Sequence, residues 1–282
     1  MLGTAVREVY SQLPDAVWTD LESVGDDVEQ LDVRDWTEVD RRVRDFKPDV
    51  LLHLAAETDV DKCESDSDHA FQSNAFATEN VARACQGAGS TLVYISTGNV
   101  FDGKKETPYT EYDSPSPINT YGRAKLAGEQ VVAQWLHSYY IVRAGWMVGG
   151  WEIDKKFVYK MVQLCQTQDE ILAVDDKFGS PTFTVDFARN LPEIIGSGRF
   201  GLYHMVNGNG TCSRFEIAQE IVRALGKEEK IRVKPVSSDT FPMAAERPAS
   251  EMLRNLKLGL IGLDRMPDWK NSLREYIISN AR

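Results

Sequence analysis

No stretch of the 282-residue chain carries the roughly 20 consecutive apolar residues that a helix needs to span a bilayer. Its opening, MLGTAVREVY, lacks the basic and apolar regions of a secretory leader, so the cytoplasm is the expected compartment. Cysteine is sparse. Cys63, Cys85, Cys165 and Cys212 lie far apart and form no CxxC pair, which leaves buried, reduced thiols as the expectation. His53, His69, His137 and His204 are equally scattered, so no metal site is expected. Basic residues are outnumbered, 32 Lys and Arg against 43 Asp and Glu, for a formal net charge of −11. That balance argues against sequence-independent binding of nucleic acid, whose affinity comes from cations that displace counterions. It leaves anionic small molecules open, because a cleft can be locally basic on an acidic protein. Internal repeats are absent, and the 20 Gly and 11 Pro are too dispersed for a low-complexity chain.

What is present suits a folded α/β protein. Apolar residues make up 42% of the chain, ample for a core. Over the first two-thirds, short β-branched runs alternate with helical periodicity, the pattern of βαβ units on a parallel sheet. Residues 50–55 read as a buried strand. The helix before it opens at Asp35 with Glu38 at capping-box spacing, and Trp36, Val39, Val43 and Phe46 form its apolar face. A second helix is expected over 68–86, with Phe71, Ala75, Thr78, Ala82 and Cys85 on one side and Gly87 and Gly89 closing it. Strands follow at 91–96 and 139–143, with a helix over 119–137 between them. After Gly149-Gly150, helices are expected over 155–167, 184–196, 213–225 and 267–280, and strands near 171–174, 201–206 and 231–234. The expected fold is therefore a doubly wound parallel sheet over residues 1–150. Residues 151–282 form a smaller C-terminal lobe, mainly substrate-binding, with segments that return to the main sheet.

Tyr121 and Lys125 are four residues apart on the 119–137 helix, so both side chains face one site. A neighbouring ammonium favours the phenolate, which predicts a lowered Tyr121 pKa and a usable acid or base. Two residues alone make a weak pattern, equally readable as an incidental helix surface. Thr97 strengthens it: this hydroxyl ends a predicted parallel strand, where ligands bind in open α/β sheets.

With Thr97 and Tyr-x-x-x-Lys at this spacing, the sequence resembles the extended short-chain dehydrogenase/reductase superfamily, and within it the dTDP-4-dehydrorhamnose reductases. The supporting segments are HLAAETDVDKCE (53–64), STGNVFDG (96–103), PINTYGRAKLAGE (117–129), VRAGWMVG (142–149), DDKFGSPTFTVDFA (175–188), GLYHMVN (201–207), ERPASEML (246–253) and MPDW (266–269). They span almost the whole chain in order. The resemblance implies a Rossmann-like fold and reduction of a nucleotide-linked 4-keto-6-deoxysugar by NADPH or NADH. It implies that Tyr121 gives the proton, Lys125 tunes Tyr121 and binds the nicotinamide ribose, and Thr97 orients the carbonyl. Ala55, Ala56 and Thr58 match positions along the cofactor and Asp32 a position near the adenine, although Asp32 reads equally as a turn residue. Trp146 matches a residue that packs on the substrate, and Arg247 one suited to its phosphates, with a core aromatic and a surface ion pair as the plain alternatives. The partner implied is a nucleotide-sugar, and a homodimer is left open.

Two departures bear on these implications. Gly3 corresponds to the last glycine of the cofactor fingerprint, so the first strand and most of the glycine-rich turn are missing from the match. A truncated gene model is the expectation, with two exposed strand edges and a gap in the core. Asp20, 17 residues on, can accept hydrogen bonds from the adenosine ribose and leans toward NADH. The second departure is Gly98-Asn99, where the family places Asp-Tyr facing the sugar. The missing acid favours a simple reductase over an epimerase. A non-catalytic subunit of the same fold, similar to the regulatory subunit of methionine adenosyltransferase, is the alternative from another class.

Overall fold

The computed structural model describes residues 1–13, 15–22, 27–153 and 156–281. Its centre is a four-stranded parallel sheet in the order Gly201–His204, Tyr139–Ala144, Thr91–Thr97, Val50–His53. The two middle strands are apolar at consecutive positions because helices cover both faces. Leu92, Tyr94 and Ile141 point to one face and pack with Val39, Val43, Val81, Cys85 and Val132. Val93, Tyr140 and Val142 point to the other and meet Val6 of the helix Leu2–Val9 and Phe187 and Leu191 of the helix Thr184–Gly196. This alternation is what makes the sheet doubly wound.

The remaining two strands of the first half stand apart. Trp18–Asp20 pairs in parallel with Val28–Gln30, and among the described residues no ladder joins this pair to Val50–His53. Among the described residues Trp18–Asp20 pairs with Val28–Gln30 alone and Val50–His53 with Thr91–Thr97 alone.

The C-terminal lobe has its own core around Met161, Ile171, Ile217, Ile221 and Leu273. The helices Phe157–Thr167, Arg214–Ala224 and Trp269–Asn280 enclose it with the parallel pair Glu170–Val174 and Arg232–Val236. Residue 155, the expected start of the first of these helices, lies outside the described residues. Segments do return to the main sheet: Gly201–His204 is its edge strand, and Thr184–Gly196 covers one face.

Several boundaries moved for local reasons. The 68–86 helix is Ser67–Phe71, a π-helical turn over Gln72–Phe76, and Ala77–Ala88. The π turn adds a residue to the helical repeat, which leaves Phe71 exposed while Ala75, Thr78, Ala82 and Cys85 stay buried. Gly87 lies inside the last turn; Gly89, at φ 75°, is the cap, in the left-handed region that favours glycine. Asp35 caps Trp36–Phe46 as expected, but Phe46 is exposed, because it ends the helix beside the left-handed cap Lys47. The pieces Trp146–Val148, Phe178–Gly179, Pro181–Phe183, Cys212–Ser213 and Ser250–Glu251 are too short to leave a periodic signal. All four cysteines are free and buried. Among the described residues no helix is long and apolar enough to cross a membrane.

Candidate active site

Thr97 is the last residue of a central strand, so its side chain stands at the carboxyl edge of the sheet. Its hydroxyl accepts from the Asn99 N–H at 3.2 Å, which turns the chain sharply, and it hydrogen-bonds the Tyr121 phenol. Tyr121 arrives there on the helix Thr120–Trp135, whose N-cap is Asn119. The Asn119 oxygen accepts from the Gly122 N–H at 2.8 Å, and its amide donates to Asn99 Oδ1 at 3.1 Å and to the Glu246 carbonyl at 2.9 Å. Gly122 is required by this closeness: a Cβ there would strike the Asn99 carbonyl and lie 2.9 Å from Pro117 Cβ. Cap and glycine together draw the start of the helix onto the end of the strand.

One turn on, Lys125 is also buried, with Nζ 4.0 Å over the Tyr94 ring. Among the described residues its ammonium makes no hydrogen bond. Burial lowers its pKa from 10.5 to about 7, against the opposing pull of Glu129. Glu129 in turn is held by Arg143, through Nε at 2.8 Å and Nη2 at 2.6 Å, and by the Ser96 hydroxyl at 2.5 Å. This buried pair ties the 120–135 helix to both central strands.

The electrostatics correct one expectation. Burial raises the Tyr121 phenol well above its ordinary value, and the group that opposes the rise is Thr97 rather than Lys125. The Lys125 ammonium sits over Tyr94 and is itself partly discharged at neutral pH, so desolvation wins.

Asn99 and Trp146, expected from the resemblance to face the substrate, converge on a residue that sequence reasoning missed. Asn99 Nδ2 donates to Glu251 Oε2 at 2.6 Å, and Trp146 Nε1 donates to Glu251 Oε1 at 3.0 Å. Both ends of the Asn99 amide are therefore engaged. Arg247 takes the ion-pair alternative: Nη2 meets Asp61 Oδ2 at 3.0 Å and Nη1 donates to the Ala245 carbonyl at 3.0 Å.

The residues expected along the cofactor are more exposed or more locally bonded. Gly3 is in the first turn of Leu2–Val9 with nothing within 4 Å of where a Cβ would be. Asp20 is exposed at the end of its strand, and its carboxylate accepts from the Leu21 N–H at 2.7 Å. Ala55 and Thr58, just beyond the 50–53 strand, are exposed, and Ala56 is half-buried. Asp32 turns to Arg34, whose Nε and Nη2 approach it at 2.9 and 2.7 Å and hold its carboxyl below the usual range. No group of three or more His, Cys, Asp or Glu able to hold a metal ion occurs among the described residues.

Comparison with known proteins gives a consistent result. Residues 2–281 match the family described as RmlD substrate binding domain. The dTDP-4-dehydrorhamnose reductase of Mycolicibacterium smegmatis is 36% identical over 250 residues, 88% of this chain and 75% of the relative. The crystal structure of a dTDP-4-dehydrorhamnose reductase from Clostridium acetobutylicum superposes with a TM-score of 0.88 at 35% identity, covering 100% of this chain and 96% of that one. The Bacillus anthracis dTDP-4-dehydrorhamnose reductase in complex with NADP gives 0.86 at 34% identity, covering 99% and 95%.

Proposed function

The chain belongs to the dTDP-4-dehydrorhamnose reductase family, and from that membership we propose that it reduces the keto group of a nucleotide-linked 4-keto-6-deoxysugar with NADPH or NADH, Tyr121 giving the proton. One observation carries the reading: a Thr97–Tyr121 hydrogen bond at the carboxyl end of a central strand, with an unpaired Lys125 ammonium one turn away. The residues present fit a nicotinamide cofactor at this end, because Lys125 has free donors for ribose hydroxyls. When bound, that cofactor supplies the hydride.

The chain's own residues do the rest. Thr97 and Tyr121 offer two O–H donors from one spot, which polarise a carbonyl oxygen set between them. The raised phenol pKa keeps Tyr121 protonated at neutral pH, the state a proton donor needs before the step. As the proton leaves, the phenolate gains from a protonated Lys125 on the same helix face. Burial around both groups strengthens these interactions and excludes water. Gly3, Asp20, Ala55, Ala56 and Thr58 are the candidate contacts along the cofactor. Asp20 is free to accept from a ribose diol, whereas Asp32 reaches the adenine only with Arg34 beside it. Arg247 would serve substrate phosphates by sharing its guanidinium with Asp61.

The reading is tested by following NAD(P)H oxidation with dTDP- and UDP-linked 4-keto sugars, for wild type and Tyr121→Phe. Turnover that is lost in the variant while sugar-nucleotide binding persists supports it; equal turnover in both removes Tyr121 from the mechanism. A non-catalytic binding subunit is the second reading, favoured by the two unjoined strand edges at the cofactor end. Tight sugar-nucleotide binding by wild type with no turnover on the whole panel would favour it.

A further inference from the structure

Asn99 and Trp146 belong to different segments, one after the 91–97 strand and one on the 146–148 strand, and both end on a third. The Glu251 carboxylate takes one donor on each oxygen, Asn99 on Oε2 at 2.6 Å and Trp146 on Oε1 at 3.0 Å. An indole N–H and an amide NH2 can only donate, so a carboxylate is the side chain that accepts both. The indole is also clamped from its faces. Arg214 Cζ lies 3.8 Å from the ring centroid, and a Cβ on Gly179 would come within 2.6 Å of the ring at Cζ2. The far end of Asn99 is held by Asn119, the cap of the helix that delivers Tyr121. Glu251 is 9% exposed, and its field reaches Tyr121. A carboxylate buried that deeply is costly unless its partners are in place, and here the partners are Asn99 and Trp146, both candidate contacts of the sugar.

We propose that Glu251 is the positioning residue of the sugar-facing wall: it locks the Trp146 indole and the Asn99 amide beside Tyr121 and so sets which arrangement of sugar hydroxyls brings its carbonyl to the phenol. This rests on the reductase reading above.

The test is a double-mutant cycle of Glu251→Gln and Trp146→Phe, assayed with NADPH and two 4-keto-6-deoxysugar nucleotides that are epimers of one another. The amide in Glu251→Gln would keep one acceptor and turn its NH2 toward the other donor; Trp146→Phe removes the N–H and keeps an aromatic ring. Glu251→Gln is expected to raise KM for the preferred sugar nucleotide about tenfold, with kcat and the Kd for NADPH within about threefold of wild type. The preference between epimers should fall by a similar factor. Because the two residues act as a unit, the double variant should be no more than about threefold worse than Glu251→Gln alone. Multiplicative effects, or unchanged KM and unchanged preference in both single variants, overturn the inference while leaving the reductase reading intact. Should Glu251→Gln fail to fold, Trp146→Phe alone decides by the same KM and preference readouts. Wild type that turns over none of the sugars overturns both.

Discussion

The polar side chains around Tyr121 tie together elements distant in sequence through buried bonds, whereas the described elements around Gly3 and Asp20 are tied by largely exposed ion pairs, Arg7 to Asp27 and Arg42 to Glu29. Glu129 joins a helix to two strands, Asn119 joins a helix cap to the Gly98-Asn99 turn and the 246 loop, and Glu251 joins that turn to the 146–148 strand. Elsewhere, among the described residues, the 18–20 and 50–53 strands each pair on one side, and the Asp20 carboxylate makes a local contact with the Leu21 N–H. On the proposed reading the two groups would do different work. Chemistry on a carbonyl needs side chains held to a fraction of an ångström, which cross-bracing provides. Contact with a long dinucleotide draws mainly on backbone at strand ends, where few side chains are needed.

Substitutions at the two ends should therefore differ in kind. The largest effect is expected for Tyr121→Phe, a loss of turnover of about 10³-fold with the fold unchanged, read by steady-state kinetics and circular dichroism. A loss below tenfold would mean that the braced end is structural only.

Next is Lys125, through pH. Its folded pKa is about 7, whereas the unfolded value is near 10.5. Between these the unfolded state binds more protons, so stability rises with pH across that window and the cost of burying the charge is fully present below 7. Relative to Lys125→Met, wild type without cofactor should gain roughly 2–3 kcal/mol between pH 6 and pH 9 in urea unfolding. A constant difference across that range would show that the ammonium is not desolvated.

Packing gives a smaller contrast. A Cβ at Gly128 would sit 2.7 Å from the Asn74 carbonyl oxygen, in the braced half. Gly128→Ala should cost about 2 kcal/mol by forcing the helix off Tyr94. Gly3→Ala meets open space and should change stability by less than about 1 kcal/mol, with a helix-propensity gain. Its effect should appear instead as weaker NAD(P)H binding in fluorescence titration. Equal costs at the two glycines would erase the distinction between the ends.

Much of the braced end was legible because its signals are local. A helix over 119–137, Tyr121 and Lys125 four apart on it, and Thr97 at a strand end all lie within one βα unit. The doubly wound sheet was readable for the same reason, from runs long enough to show period. Other features left no such trace. The π turn at 72–76 depends on how the helix meets its neighbours, and Phe71, expected on one side with Ala75 and Cys85, is exposed where they are buried. Asp32 and Arg247 have the residue types of binding groups, yet each has an ion-pair partner, Arg34 and Asp61, whose proximity spacing alone does not establish.

The sequence by itself determined the order of elements, the sheet type and the Thr97–Tyr121–Lys125 constellation, since hydrophobic period, capping and helical spacing act over a few residues. Tertiary structure alone decided the protonation balance and the wall beside Tyr121. Burial, which comes from the whole fold, sent the phenol pKa up and the ammonium pKa down. Glu251 met Trp146 across 105 residues and Asn99 across 152, a pairing that exists only once two lobes have folded against each other.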